Sequence, residues 1–166
     1  ALYQSNMNHF STDVIVIGAG PCGLFTVFEA GLLKWKCHLV DYLPTPGGQC
    51  TEIYPKKPIY DIPGFPSVLA GELVDNLVKQ GAPFHPQFTL GERAEQLEKL
   101  EDGTFRLTTS RGTVITGRTV FLAGGLGCFE PRKPMIEGLS AYEDNGVEYI
   151  IKDPEFYRGK RVIIGG

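Results

Sequence analysis

The chain lacks any apolar run near the roughly 20 residues needed to cross a bilayer as a helix. Its first apolar stretch starts at Val14 and stops at Gly18, too short for the core of a secretory signal. It lacks a cationic excess: 16 Lys and Arg stand against 19 Asp and Glu, a net charge of −3. Nucleic-acid binding, which needs a positive surface, is not expected. Cysteine is scarce, at four in 166 residues, and the four are widely spaced at Cys22, Cys37, Cys50 and Cys128. No two form a Cys-x-x-Cys or stand with a histidine at metal-ligand spacing, so no metal site is expected. Free thiols in a reducing cytoplasm are the plain expectation. The 21 Gly and 12 Pro have no three-residue period and sit between apolar runs, which excludes collagen-like and low-complexity chains.

What is present is a hydrophobic share of 42%, ample for a packed core. Residues 1–7 read as an expression scar, within a tail placed at 1–10. Thr12–Ile17 is a β-branched run bounded by Gly, the pattern of a buried parallel strand. Cys22–Leu33 carries Leu24, Phe25, Val27, Phe28, Leu32 and Leu33 at helical spacing. Cys37–Val40 is a second strand, ending at Asp41. The three make a β-α-β unit of about 30 residues. Residues 41–66 are too apolar for a linker and read as an ordered binding loop. Ala70–Gln80 is the next helix, closed by Gly81. Phe84–Leu90 is a strand. Ala94–Leu100, Thr104–Thr109 and Thr113–Thr116 form a meander with Gly-containing turns at 101–103 and 110–112. Arg118–Ala123 is a separate buried strand. Val147–Ile151 is a further strand, Asp153-Pro154 opens a helical turn, and Arg161–Ile164 begins another buried strand.

The motif that carries chemistry is Gly18-Ala19-Gly20-Pro21-Cys22-Gly23, a G-x-G-x-x-G between strand and helix, with Asp41 at the end of the next strand. Gly18 permits the tight turn, Gly20 lets amides approach a pyrophosphate, and Gly23 lets helix and strand pack closely. The helix N-terminus offers partial positive charge to phosphates. Asp41 accepts from an adenosine ribose. A dinucleotide site follows. After Asp41 the chain continues through Gly47-Gly48-Gln49 and Tyr54 to a meander, then a strand ending Ala123-Gly124-Gly125. That order suits the FAD domain of two-dinucleotide flavoproteins. The fold class is therefore α/β: a Rossmann-like FAD-binding domain, a parallel sheet with an inserted β-meander, at 11–130. Residues 131–166 are the crossover and the start of a second dinucleotide-binding domain.

The sequence resembles the thioredoxin-reductase-like ferredoxin–NADP reductases. The resemblance rests on residues 16–24, 47–55 (Gly-Gly-Gln-Cys-Thr-Glu-Ile-Tyr-Pro), 60–66, 123–134 and 152–157. It implies flavin contacts at Cys22, Asp41, Gln49, Tyr54, Ala94 and Phe129, with Ala94 at the adenine and Phe129 at the isoalloxazine. It implies FAD and NADPH as cofactors, ferredoxin or flavodoxin as partner, a homodimer and a cytoplasmic enzyme. Ala123-Gly124-Gly125 departs from the Ala-Thr-Gly common in wider flavoproteins. Val162-Ile163-Ile164-Gly165-Gly166 looks like the opening of a second dinucleotide motif, so the chain is expected to be part of a longer enzyme.

Two slots decide the electron path. Dithiol flavoenzymes carry Cys-x4-Cys after the Gly-Gly segment, and here Pro55 follows Cys50 at that spacing. Thioredoxin reductases carry Cys-x-x-Cys before the second motif, and that slot is Tyr149-Ile150-Ile151-Lys152. A thiol relay is disfavoured, and direct transfer from flavin to a one-electron carrier is expected. No side-chain nucleophile or acid–base pair is expected. Another flavin-dependent reductase, a monooxygenase-like enzyme, or a non-catalytic FAD-binding fragment remain as alternatives. Cys22 reads as a small packing residue, Cys50 as a bystander, and His38 and Trp35 as core. Tyr60 is equally a flavin-stacking or a loop residue. Lys56-Lys57 and Arg132-Lys133 are either a solvated surface or a landing site for an acidic ferredoxin.

Overall fold

The computed structural model describes residues 8–128, 133–143, 145–151 and 153–165. Strand β1 (His9–Ile17) takes in the last two residues of the stretch assigned to the tail, because His9 and Phe10 find partners in a neighbouring strand. Val14, Ile15 and Val16 are all buried, which is why the run is apolar without alternation. Helix α1 (Pro21–Leu32) follows, with Pro21 in the first turn where a missing N–H costs nothing. It buries Gly23, Leu24, Val27, Ala30 and Gly31. Phe25, Leu32 and Leu33, counted above with the apolar stripe, are exposed; Phe25 instead stacks on Phe28, with ring centres 6.0 Å apart. Trp35 was expected in the core and is 44% exposed, because it lies in the turn between helix and sheet rather than under either.

Strand β2 (Cys37–Asp41) pairs parallel with β1, Val14 opposite Cys37 and Ile17 opposite Val40. The loop after it is ordered. It holds the short helix α2 (Gln49–Glu52) and a small two-stranded sheet of β3 (Pro58–Ile59) and β4 (Val68–Leu69). Helix α3 (Ala70–Gly81) buries Ala70, Leu73 and Val74. Gly81 does not close it as a left-handed cap: its φ is −79°, and a 3-10 turn over Ala82–Phe84 continues the spiral until His85 takes the left-handed conformation. Gly81 is small for a different reason. A β-carbon there would sit 3.1 Å from the Val27 side chain, so it lets α3 lie against α1.

Strand β5 (Gln87–Leu90) pairs parallel with β2. The meander follows as β6 (Ala94–Lys99), β7 (Phe105–Thr109) and β8 (Val114–Leu122). Its turns carry Gly103 and Gly112 at φ +85° and +81°. Two strands expected separately, Thr113–Thr116 and Arg118–Ala123, are one continuous strand β8. Its first half pairs antiparallel with β7, and the whole strand runs parallel to β1. Gly117 is not a breaker: a β-carbon there would lie 2.7 Å from the Ile15 side chain, so glycine permits close approach within an unbroken strand. The sheet order is β5-β2-β1-β8-β7-β6, a parallel core extended at one edge by the meander.

The alternation of side chains along β1 and β2 makes two cores. Val14, Val16 and Leu39 pack with Leu24, Val27 and Val74 under the helices. Ile15 and Val40 pack with Leu107 and Ile115 on the other face, against the meander. Past β8 the described residues form turns. Pro154–Tyr157 is the expected helical turn, with the Asp153 carboxylate accepting from the Glu155 amide at 3.2 Å. Val147–Ile151 is not a strand; it makes one bridge, Glu143 to Val147. Arg161–Ile164 is not a strand either. Ile163 is 99% and Ile164 84% exposed, and no described strand pairs with the run.

Candidate functional site

The ends of β1, β2 and β8 open on one cleft of about 440 Å³, lined by the glycine loop, the Asp41 turn, α2 and the segment after β8. That is where open parallel sheets place ligands, at the carboxyl ends where the chain connects to opposite sides. The loop is stapled in position. Gly18 donates its N–H to the Val40 carbonyl at 2.8 Å, and Gly47 donates to the Ala19 carbonyl at 2.8 Å. Ala123 donates to the Ile17 carbonyl at 2.8 Å, tying in the end of β8.

Gly18 has φ +105°, and a methyl there would overlap the Ala123 carbonyl oxygen. A methyl on Gly23 would overlap the Gly18 carbonyl oxygen; Gly23 lies beneath the loop and does not line the cleft. Gly20 differs from both. It has an ordinary extended backbone (φ −72°, ψ −176°), lines the cleft, and a β-carbon on it would meet no protein atom within 4 Å. The first intrahelical bond of α1 runs from the Leu24 amide to the Gly20 carbonyl. The amides of Cys22 and Gly23 thus precede the ladder, at the positive end of the helix.

Asp41 is a structural acid as well as a lining residue. Its Oδ2 accepts from the Ala19 amide at 2.7 Å and its Oδ1 from the Leu43 amide at 2.9 Å. Each oxygen keeps a further lone pair for a ribose hydroxyl. Residues 91–94 are brought beside it by Gly91 donating to the Leu43 carbonyl (2.9 Å) and Glu92 to the Asp41 carbonyl (3.2 Å). Ala94 follows at the start of β6, where a bulge to Gln96 turns the strand.

On the opposite wall Gly48 and Gln49 open α2. The Gln49 amide nitrogen lies 3.9 Å from the place a β-carbon on Gly125 would occupy, so Gln49 faces the segment after β8. Tyr54 lines the same wall, packed against the core, with the Lys57 ammonium 5.2 Å from its ring centre. Burial, then the neighbouring Cys50, raises the Tyr54 phenol above its usual range.

Of the residues expected from sequence, the cleft gathers Gly18, Gly20, Pro21, Cys22, Asp41, Gly48, Gln49, Tyr54, Ala94 and Gly124. Phe129 lies outside the described residues, as does Arg132. Tyr60 is 71% exposed and is not among the lining residues. Sequence reasoning missed Tyr42, Glu52, Arg93 and Cys128. Arg93 and Tyr42 adjoin Ala94 and Asp41, and that adjacency was the available signal. The four cysteines are free, with Cys37 and Cys50 buried and Cys22 and Cys128 exposed. Burial, and the charge of Asp13, push the Cys37 thiol up to about 11; burial also raises Cys50. His38 is buried, its Nε2 2.7 Å from the Thr89 hydroxyl, and burial lowers it to about 4 against a smaller opposing effect of Gln87. Lys56 pairs with Asp153 at 2.8 Å.

No family model matches the chain. It is 67% identical over 155 residues to ferredoxin–NADP reductase 1 of Christiangramia forsetii, covering 93% of this chain and 44% of that protein. It is 64% identical over 155 residues to the ferredoxin–NADP reductase of Flavobacterium johnsoniae, with the same coverages. The chain thus spans less than half the length of these relatives. Among solved structures it is similar to thioredoxin reductase of Lactococcus lactis, with TM-score 0.64, 22% identity, 84% of this chain and 43% of that one. It is also similar to cyclohexanone monooxygenase of Rhodococcus sp. Phi1 bound to NADP+, with TM-score 0.62, 21% identity, 82% of this chain and 30% of that one. At those identities the solved structures show the fold alone: an α/β domain of the thioredoxin-reductase type with a mostly parallel sheet.

Proposed function

The chain belongs to the ferredoxin–NADP reductase family, and from that premise we propose that it is the FAD-binding part of an enzyme passing electrons from NADPH to ferredoxin or flavodoxin. The observation that carries the reading is the cleft at Gly18–Gly23, with Asp41 at one end and Gln49 and Tyr54 at the other. The residues fit an extended dinucleotide. Gly20 leaves open space where a pyrophosphate would approach, helix amides lie behind it, and Asp41 has lone pairs left for ribose hydroxyls. The cleft volume falls within the range of small-molecule sites, roughly 300–1,000 Å³.

In this reading Asp41 and Ala94 would hold the adenosine, and Gln49 and Tyr54 would hold the ring system. A flavin held there would supply hydride acceptance and one-electron release. The chain's own residues supply position and exclusion of water. Asp41 fixes the loop through Ala19, Gln49 faces Gly125, and the Lys57–Tyr54 contact steadies the aromatic wall. No side chain needs to act as nucleophile. Cys50 is buried and Pro55 stands where a second thiol would be, which favours direct transfer over a thiol relay.

Residues 131–166 are taken as the crossover into an NADP-binding domain, and a cytoplasmic homodimer as the working form. Among the described residues no helix is long and apolar enough to cross a membrane. The test is NADPH oxidation by the whole protein with ferredoxin, a disulfide or oxygen as sole acceptor. Turnover with ferredoxin well above the other two is expected; turnover with the disulfide alone would refute the reading.

A further inference from the structure

The four thiols sort by where they open. Cys37 and Cys50 are buried in the core under the helices, and neither lines the cleft. Cys22 and Cys128 are exposed, and both line the dinucleotide cleft, one from the first turn of α1 and one from the segment after β8. Every exposed thiol of this sequence therefore gives onto the same cleft, from two different walls. Cys22 sits two residues after Gly20, whose open face is where a pyrophosphate would approach.

We propose that the cleft is a site of reversible thiol modification at Cys22 and Cys128 by small disulfides, and that modification and dinucleotide occupancy exclude each other. The inference rests on the reading that this cleft takes FAD. The step balances as ordinary exchange: the cysteine sulfur, as thiolate, attacks one sulfur of the disulfide and forms a protein–S–S–R bond. The R–S⁻ expelled takes up the proton that the cysteine gave, and a second thiol reverses the step. A group carried on Cys22 occupies the space beside Gly20, so the cofactor cannot approach the helix amides. With the cofactor in place, neither sulfur is open to an incoming disulfide. A chain that meets oxidant before it is loaded is thus held empty and unharmed until reduced.

The test uses the whole protein freed of flavin, and the same protein reloaded with FAD, each treated with glutathione disulfide. Adducts are mapped by mass spectrometry, and FAD binding is followed by fluorescence titration. Adducts at Cys22 and Cys128 are expected only without FAD, with FAD affinity lowered at least about tenfold and restored by dithiothreitol. Cys128→Ser and the double variant with Cys22→Ser report which thiol carries the effect, and the double variant is expected to be insensitive to the disulfide. Equal adduct formation with FAD bound, or unchanged FAD affinity after modification, overturns the proposal alone. Failure of the untreated protein to take up FAD overturns the functional reading itself, and the proposal with it.

Discussion

Glycines 18 and 23 are held by the backbone around them. Gly18 needs φ +105° and abuts the Ala123 carbonyl; Gly23 abuts Gly18. Gly23→Ala forces α1 away from β1 and is expected to cost about 1–3 kcal/mol of stability, as overpacking at a tight site does. A urea unfolding midpoint that matched the parent would contradict the close packing. His38 gives a second prediction, with a definite sign. Its folded pKa is lowered to about 4, below the ordinary 6.5, so the unfolded chain binds the proton first as pH falls. Its contribution is intact above about pH 6.5 and is lost progressively down to about pH 4, by at most about 3 kcal/mol. Unfolding midpoints taken across that window should fall more steeply for the parent than for His38→Gln; parallel curves would remove the buried histidine from the account. At this scale the sequence was most legible where a residue's job is set by its immediate neighbours. Gly18, Gly20, Gly23 and Asp41 follow from spacing. Cys128 does not, because its place in the cleft depends on how remote strands bring their ends together.

Periodicity located β1, α1, β2 and α3 because each is buried on a face or on both, and burial imposes the pattern. It failed where burial is not the cause. Thr113–Thr116 and Arg118–Ala123 read as two strands because Gly117 lies between them, yet the glycine serves the approach of Ile15 within one strand. Gly117→Val is therefore expected to destabilise by about 1–3 kcal/mol although valine favours strands, because it must displace Ile15 from the core. A neutral or stabilising result in thermal unfolding would restore the reading of Gly117 as a simple interruption. Arg161–Ile164 has the composition of a buried strand but no partner among the described residues. Composition reports what a segment can pair with, and pairing itself requires the neighbour. The roles of Gln49, Tyr54 and Ala94 came from the family resemblance; their spacing carried no signal of its own, since an extended loop places side chains by its path.

Across the whole molecule, a parallel sheet with α1 and α3 on one face and the meander extending one edge fixes where chemistry can happen. The strand ends converge, the glycine loop is stapled to β2 and β8, and the loop holding α2 folds back to form the second wall. Lys56, weighed as part of a landing surface, pairs with Asp153, and Lys57 lies over Tyr54. Both remain exposed, and an exposed pair of this kind contributes about 0–1 kcal/mol. If the lysines steer an acidic partner instead, Lys56→Ala should raise the KM for ferredoxin and weaken its dependence on salt, while KM for NADPH stays put. Unchanged ferredoxin kinetics would leave Lys56 as solvated surface.

The central claim is that the glycine loop is built to receive a dinucleotide, and Gly20→Val tests it most directly. The position has a backbone that valine adopts, precedes a proline that favours that same extended conformation, and has no protein atom within 4 Å of an added β-carbon. Freed of flavin, the whole protein with this substitution should unfold within about 0.5 kcal/mol of the flavin-free parent, yet bind no FAD in a fluorescence titration. A variant that folds normally and still binds FAD with parental affinity would contradict the account.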